Sequence, residues 1–504
     1  MFKNFHGYPM LEAYHHWKHN HRKTRNPIGA KSIKVAIAVA VTLLLWFLPA
    51  ETYGLNGVNA IEQRVIAVFG FAALMWLFDA VPAWTTSLVV VVLLLFCCSS
   101  SALWFMQTDA SGAKFDNLVD YKAILHCFAD PTIMLFIGGF IIAIAATKSG
   151  LDVKLAKTML KPFGTKSENV LLGFILVTAL FSMFISNTAT AAMMLTFLAP
   201  VLKALPADGK GKIGLALAIP IGANIGGMGT PIGTPPNAIA LKYLNDPDGM
   251  NLGIGFGQWM LVMVPLTILL LLIAWVVLRT LFPFKQKTIN LVIEDHHKSD
   301  WRNIVVYITF AVTILLWMTD TVTGVNANVV AMLPVGVLCI AGVITKRDLE
   351  EISWSILWMI AGAFALGVAL NQSHLASHMI ESIPFASWSP LMVIIGSGLI
   401  CWLMANFISH TATAALFVPI LAIAGSSMES QLAGLGGVST LLIGVAVSSS
   451  LAMILPISTP PNALADATGF IKQKDMVRTG VIMGIVGLVL GYLVLIFCGS
   501  NGIL

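Results

Sequence analysis

Charge is what this chain has little of: Asp, Glu, Lys and Arg make up 11% of its 504 residues, against roughly 25% in soluble domains. With 57% hydrophobic residues, that excludes an ordinary water-facing surface. Short segments of alternating polarity are missing too, which excludes a membrane β-barrel. Residues 1–32 are polar and basic, so no cleavable signal peptide is expected. The six cysteines (Cys97, Cys98, Cys127, Cys339, Cys401, Cys498) show no CxxC spacing and lie mostly in apolar runs. They read as core filler, with no disulfide framework or zinc site. The five histidines among residues 1–21 read as a solvated tail, with metal binding as the alternative. No HExxH string, nucleophile–base pair or paired carboxylate falls within an apolar stretch, which leaves an intramembrane enzyme as the weakest reading. No cofactor and no nucleic-acid partner are expected.

What is present is length in the apolar runs, many of which approach or exceed the ~20 residues that span a bilayer as helix. The chain reads as an all-α polytopic membrane protein. Spans are expected near 33–49, 61–79, 84–106, 131–147, 213–241, 255–281, 303–319, 327–345, 354–372, 439–468 and 479–497. Two further stretches, about 167–202 and 389–425, carry a polar motif at their middle, where a straight helix would set it at the bilayer centre. If each is a re-entrant hairpin, 25 of the 29 Lys and Arg fall on one side, and only Arg64, Lys114, Lys122 and Lys242 on the other. Positive loops stay inside, so the asymmetry favours eleven transmembrane helices plus two re-entrant hairpins in a cell membrane. The expected order is a cytoplasmic tail (1–32), a first span (33–60), repeat one (61–281), a cytoplasmic linker (282–302), repeat two (303–497) and an external C-terminus (498–504).

The repeats are legible as duplicated strings. Phe184-Ile185-Ser186-Asn187-Thr188-Ala189-Thr190 returns as Phe407-Ile408-Ser409-His410-Thr411-Ala412-Thr413, and Thr234-Pro235-Pro236-Asn237-Ala238 returns as Thr459-Pro460-Pro461-Asn462-Ala463. Gly138 aligns with Gly362, and Trp76 and Asp79 with Trp317 and Asp320. Asp79 and Asp320 each end a span and read as solvated helix termini. A unit of five spans plus a hairpin crosses an odd number of times, so two tandem copies lie in opposite orientations, as in inverted-repeat carriers. Each repeat also holds a short amphipathic piece, Leu151 to Phe163 and Leu375 to Phe385, which reads as an interfacial helix or as an arm to a moving unit.

Hydroxyls, amides and paired prolines cost several kcal/mol in hydrocarbon unless they line a cavity. At each hairpin tip the Ser-Asn/His-Thr turn offers hydroxyls, a side-chain donor and the N–H groups of a helix N-terminus, which binds anions. At Thr-Pro-Pro-Asn the prolines are expected to break the helix and free carbonyls for a cation, with unwound stretches about 226–237 and 456–462. Lys and Arg are missing from the deep parts of every span. An anion would be held there by dipoles and neutral donors, or with the help of a cation. Two such motifs facing one another suit a small molecule with an anionic group at each end.

At these residues the sequence resembles the divalent-anion/sodium symporter family of dicarboxylate and tricarboxylate carriers, over nearly the whole chain from residue 33. The resemblance implies a homodimer with elevator-type scaffold and transport domains. It also implies a substrate site at Ser186, Asn187, Thr188, Ser409, His410 and Thr411, with Thr234, Pro235, Thr459 and Pro460 alongside. The family's first sodium site maps onto Ser182, Ser186, Asn187 and Gly233. Its second is spoiled, because Ala405 stands where a hydroxyl is expected and His410 where an Asn is, and hard cations prefer oxygen. His410 is instead read as a donor to a substrate carboxylate. The sequence therefore reads as a sodium-independent exchanger of C4/C5 dicarboxylates (succinate, malate, fumarate, 2-oxoglutarate). A sodium-coupled symporter is the alternative.

Overall fold

The computed structural model describes residues 28–504 except 56–57, 110, 206–208, 247–248, 290–299 and 383–386. The histidine-rich tail, most of the charged linker and the end of the second amphipathic piece lie outside the described residues. The described chain is helical almost throughout, with three isolated bridges and no strands. Among the described residues, nine helices are long and apolar enough to cross a bilayer, ten counting a bent pair, and four shorter apolar helices accompany them. Ile340, Phe47 and Met392 are among the large apolar side chains left outward. Such faces suit hydrocarbon rather than water.

Both motif stretches break where the polar strings fall. The first runs as helices Ser167–Phe184 and Asn187–Ala204, the second as Pro390–Ala405 and His410–Ser427. In each, a serine just before the second limb (Ser186 or Ser409) caps it by accepting a bond from the N–H three residues on, at 3.4 and 3.1 Å. A hydroxyl at N-cap satisfies one of the helix's orphan donors, which is why the chain can turn there without leaving that donor bare.

Each broken helix crosses to the other repeat. Gly211–Gly226 packs on both limbs of the first hairpin, then the chain unwinds and restarts as Pro235–Leu244 against the second hairpin's His410–Ser427. Symmetrically, Gly437–Ser450 packs on the second hairpin, and Pro460–Ala467 returns against Asn187–Ala204 and Gly211–Gly226. A second group of helices obeys the same symmetry: Ala83–Cys97 packs on Trp354–Gln372, and Pro131–Lys148 on Met332–Ile340. The aligned glycines explain how close these crossings are. A Cβ on Gly138 would lie 2.3 Å from the Ala331 carbonyl, and one on Gly362 would lie 2.5 Å from the Ser87 Cβ.

Several boundaries differ from the sequence reading. The α-helices stop at Gly226 and Ser450, the first running on through a 3-10 turn at Gly227–Gly229. The irregular stretches are therefore 230–234 and 451–459 rather than about 226–237 and 456–462, and Pro235 and Pro460 are the first residues of the helices that follow. A proline's fixed φ and missing N–H suit N1, so here the prolines start helices rather than end them. The expected span 84–106 stops at Cys97, and Trp104–Met106 is a separate 3-10 turn. Asp320 is not a solvated terminus. It is 8% exposed and accepts from the Phe256 and Gly257 N–H groups at 2.5 and 3.2 Å, capping the helix Phe256–Leu281. Asp79 is exposed, as expected.

The hairpin topology has a direct test. With both stretches re-entrant, a cysteine at Lys210 should label only from the cytoplasm and one at Ser430 only from outside. External labelling at Lys210 would exclude it.

Candidate functional site

The crosswise packing brings the four motifs into one region. The first hairpin's Ser186, Asn187 and Thr188 open the helix that packs on Pro460–Ala467, and Ser409, His410 and Thr411 open the helix that packs on Pro235–Leu244. Gly227 lies beside Asn187 and Gly233, and Asn224 is bonded to Thr459 and Asn462. Asn462 and His410 are bonded to the neighbouring Met453 and Ala452 carbonyls, and together these contacts tie the four helix starts to one another. The two that begin Pro-Pro present a threonine hydroxyl rather than N–H groups. Ser186, Asn187, Thr188 and Pro235 are half-buried, Ser409 and Pro460 exposed, and Thr234, His410, Thr411 and Thr459 buried. No Lys or Arg occurs in any of the four strings. An anion held here meets amide dipoles and neutral donors.

The unwound stretches carry free carbonyls, and the structure shows what holds most of them. Asn237 Nδ2 donates to the Gly227 and Thr230 carbonyls at 3.0 and 2.8 Å, and Asn462 Nδ2 to those of Met453 and Leu455 at 2.8 and 3.0 Å. The Thr230 hydroxyl donates to the Met183 carbonyl and accepts from Gly233 N–H at 3.1 Å. The asparagine of Thr-Pro-Pro-Asn is thus a clamp on the loop before it, a role the sequence reading did not assign. Buried Asn224 and Asn406 were also missed. Asn406 Oδ1 accepts from Ile454 N–H at 2.9 Å and its Nδ2 donates to the Trp402 carbonyl at 2.8 Å. The available signal was an amide inside an apolar run, which is costly unless fully bonded.

The two halves differ where a cation would sit. In the first, the Ser182 hydroxyl lies 2.5 Å from Asn187 Oδ1 and 2.8 Å from the Ala223 carbonyl. A Cβ on Gly227 would lie 2.7 Å from Asn187 Oδ1 and 3.1 Å from the Gly233 carbonyl, which puts those two oxygens on one side of that glycine. A hydroxyl has one proton and cannot serve both acceptors. A small hard cation satisfies such an oxygen cluster, and so does an Asn187 amide turned to present its Nδ2. Ser182, Asn187 and Gly233 are thus brought together, while the Ser186 hydroxyl accepts from the Ala189 N–H and keeps its proton to donate.

In the second half His410 fills the corresponding place. Its Nε2 is 2.8 Å from the Ala452 carbonyl. A carbonyl only accepts, so Nε2 carries a proton and donates it there. Ala405, fully buried, supplies no oxygen. Where the first half has an excess of acceptors, the second has an N–H already donated.

Separately, a cavity of about 340 Å³ lies beside Pro231 and Ala238, and Lys242, Asn245 and Asp320 also line it. Lys242 pairs there with Asp130 at 3.1 Å.

Inverted repeats, helices broken at mid-span and four helix starts tied together define a membrane transporter of the inverted-repeat type. The family described as the sodium:sulfate symporter transmembrane region matches residues 29–500. The chain belongs to that family, the divalent-anion/sodium symporters. A transporter of Haemophilus influenzae is 31% identical over 441 residues, covering 84% of this chain and 88% of its own. The Caenorhabditis elegans sodium-dependent high-affinity dicarboxylate transporter 3 is 30% identical over 74% of this chain and 75% of its own. The Staphylococcus saprophyticus sodium-dependent dicarboxylate transporter SdcS is 27% identical over 86% and 85%. Among solved structures, MtrF of Neisseria gonorrhoeae, titled as one of a class of antimetabolite efflux pumps, superposes with a TM-score of 0.51 at 15% identity, over 86% of this chain and 97% of that one. That likeness is one of fold.

Proposed function

We propose that this protein carries C4/C5 dicarboxylates such as succinate, malate, fumarate or 2-oxoglutarate across the cell membrane, exchanging one for another. The substrate sits between the two hairpin tips, one carboxylate toward Ser186, Asn187 and Thr188 and the other toward Ser409 and Thr411, with Thr234, Pro235, Thr459 and Pro460 alongside. His410, read from the sequence as a carboxylate donor, lines the second tip with its Nε2 proton given to the Ala452 carbonyl instead. The observation that carries this reading is that two hairpin-tip helix N-termini and two Thr-Pro-Pro-Asn helix starts are joined in pseudo-symmetric pairs without a basic side chain. Such a site suits an anion charged at both ends. The names of the Staphylococcus and Caenorhabditis relatives support the substrate class.

Exchange follows from the second half. An empty carrier must return with its N-terminal dipoles uncompensated, and the His410 N–H bonded to Ala452 takes the place of one cation that would ease that step. The two hairpins and two broken helices form the moving body of an elevator. The helices of the second packing group form the scaffold of a homodimer, with a cytoplasmic N-terminus and an external C-terminus. A separate apolar cluster of Leu135, Ile142, Trp317, Val330 and Ala331 against Ile232 and Phe256 supports a sliding contact between the two bodies.

Sodium-coupled symport is the second reading, favoured by the oxygen cluster at Ser182, Asn187 and Gly233 and by the relatives' names. Counterflow in proteoliposomes separates the two. Labelled succinate uptake should require internal dicarboxylate and proceed without sodium, and uptake into empty vesicles on a sodium gradient would establish symport.

Replacing Thr188 or Thr411 by Ala should weaken succinate binding by about 1–2 kcal/mol each, as for a lost hydrogen bond to a charged group, with the protein still folded. Normal transport by both variants would place the site elsewhere.

A further inference from the structure

We propose that Asn224 is a positioning residue for the second-half end of the substrate site: its amide fixes the Thr459 hydroxyl as an obligate donor to a substrate carboxylate. The inference rests on the substrate site proposed above and adds a residue outside both duplicated strings.

The orientation of every amide in this cluster is set by its neighbours. Asn462 Nδ2 faces two backbone carbonyls, Met453 at 2.8 Å and Leu455 at 3.0 Å, and carbonyls only accept. Asn462 therefore turns its Oδ1 the other way, where Asn224 meets it at 3.1 Å. Two oxygens would repel there, so the atom Asn224 presents is Nδ2. That same Nδ2 lies 3.2 Å from Thr459 Oγ1.

Thr459 Oγ1 also accepts from the Asn462 backbone N–H at 3.2 Å, as the N-cap of Pro460–Ala467. A hydroxyl oxygen has two lone pairs, and both are now occupied by N–H donors. Its proton is left to be donated, and no acceptor for it is recorded among the described residues. Threonine hydroxyls normally rotate between donating and accepting, and this one is held to donating. It stands at the N-terminus of a helix that packs on the helix opened by Asn187, the region read above as the carboxylate site.

The first half lacks the device. The residue ten places before Thr459 is Ser449, as Asn224 is ten places before Thr234. The Ser449 hydroxyl and Asn237 Oδ1 are both buried without a partner, and Thr234 makes no side-chain bond to its own helix. Serine is too short to repeat the bridge Asn224 makes. The two ends of the site thus offer a substrate one fixed donor and one freely turning hydroxyl.

The test uses the full-length protein, purified and reconstituted, with succinate as the probe. Asn224→Ala should raise the succinate Kd by roughly five- to tenfold, the scale of a weakened bond to a carboxylate, with the maximal exchange rate changed less than about twofold. Asn224→Asp should do more damage, because its carboxylate accepts the Thr459 proton and turns it from the substrate. Thr459→Val removes the donor itself. In that background Asn224→Ala should cost nothing further, whereas Thr459→Ser keeps the hydroxyl and should keep the sensitivity to Asn224→Ala. If the valine double variant does not fold, the serine pair carries the test. Independent, multiplying losses from Asn224→Ala and Thr459→Val, or an unchanged Kd in Asn224→Ala, would overturn the proposal. Thr188→Ala and Thr411→Ala measured alongside distinguish the causes. If these and Thr459→Val all bind succinate normally, the substrate-site reading fails. If these weaken binding and Asn224→Ala does not, only the role of Asn224 fails.

Discussion

Gly233→Ala should abolish dicarboxylate uptake in a protein that still reaches the membrane, and Gly227→Ala should do nearly as much. A Cβ on Gly233 would sit 2.3 Å from the Gly227 carbonyl oxygen and 2.9 Å from its carbon, all backbone. Nothing there is the end of a side chain that can turn away. On Gly227 the new methyl would meet Asn187 Oδ1 at 2.7 Å and Nδ2 at 3.0 Å, displacing the hairpin-tip amide itself. Overpacking of a tight site costs about 1–3 kcal/mol, and here the strain is relieved only by spreading the loop that Asn237 clamps through the Gly227 carbonyl. Uptake should fall well over tenfold for Gly233→Ala. Gly396→Ala is the control, since its Cβ would approach nothing nearer than Met392 Cγ at 4.0 Å, and it should transport normally. Normal uptake by Gly233→Ala would mean that this loop takes no part in the site.

How much of this was legible beforehand depends on whether a residue acts locally or across the fold. The hairpin breaks at Ser186 and Ser409 were readable because a helix cap is a local event: a serine three residues before the N–H it serves. The pairing of Gly138 with Gly362 was visible as an alignment, but their purpose was not, since each glycine makes room for the other repeat's chain. The prolines misled by being read alone. In Thr-Pro-Pro-Asn the threonine before and the helix after place Pro235 and Pro460 at N1, and the unwinding lies upstream, where the first copy has glycines and the second has none between 445 and 468. Asp320 was taken for a span end, which it is. Its partner is the N-terminus of another helix 63 and 64 residues away, and no periodicity in the sequence reports that. Asn224 escaped for the same reason, because its partners lie 235 and 238 residues on.

Net uptake by the unmodified protein should not follow a sodium gradient, and His410 decides this. In the first half, Ser182, Asn187 and the Ala223 carbonyl crowd more acceptors than protons. In the second, Ala405 brings no oxygen and the His410 N–H already satisfies the Ala452 carbonyl at 2.8 Å. A sodium ion entering there would have to displace a made hydrogen bond and find a nitrogen where it prefers oxygen. His410→Asn should therefore impair exchange without creating sodium dependence. The shorter side chain leaves the buried Ala452 carbonyl unbonded, at about 1–3 kcal/mol, and Ala405 still lacks its hydroxyl. Adding Ala405→Thr supplies that oxygen, and the double variant should regain a sodium response that neither single variant shows. The measurement is labelled succinate uptake into proteoliposomes with and without internal dicarboxylate, each on opposed sodium and potassium gradients. The unmodified protein should accumulate label only in loaded vesicles and equally on both gradients. Sodium-driven accumulation into unloaded vesicles would show that the first-half cluster alone couples the cycle, and exchange would give way to symport.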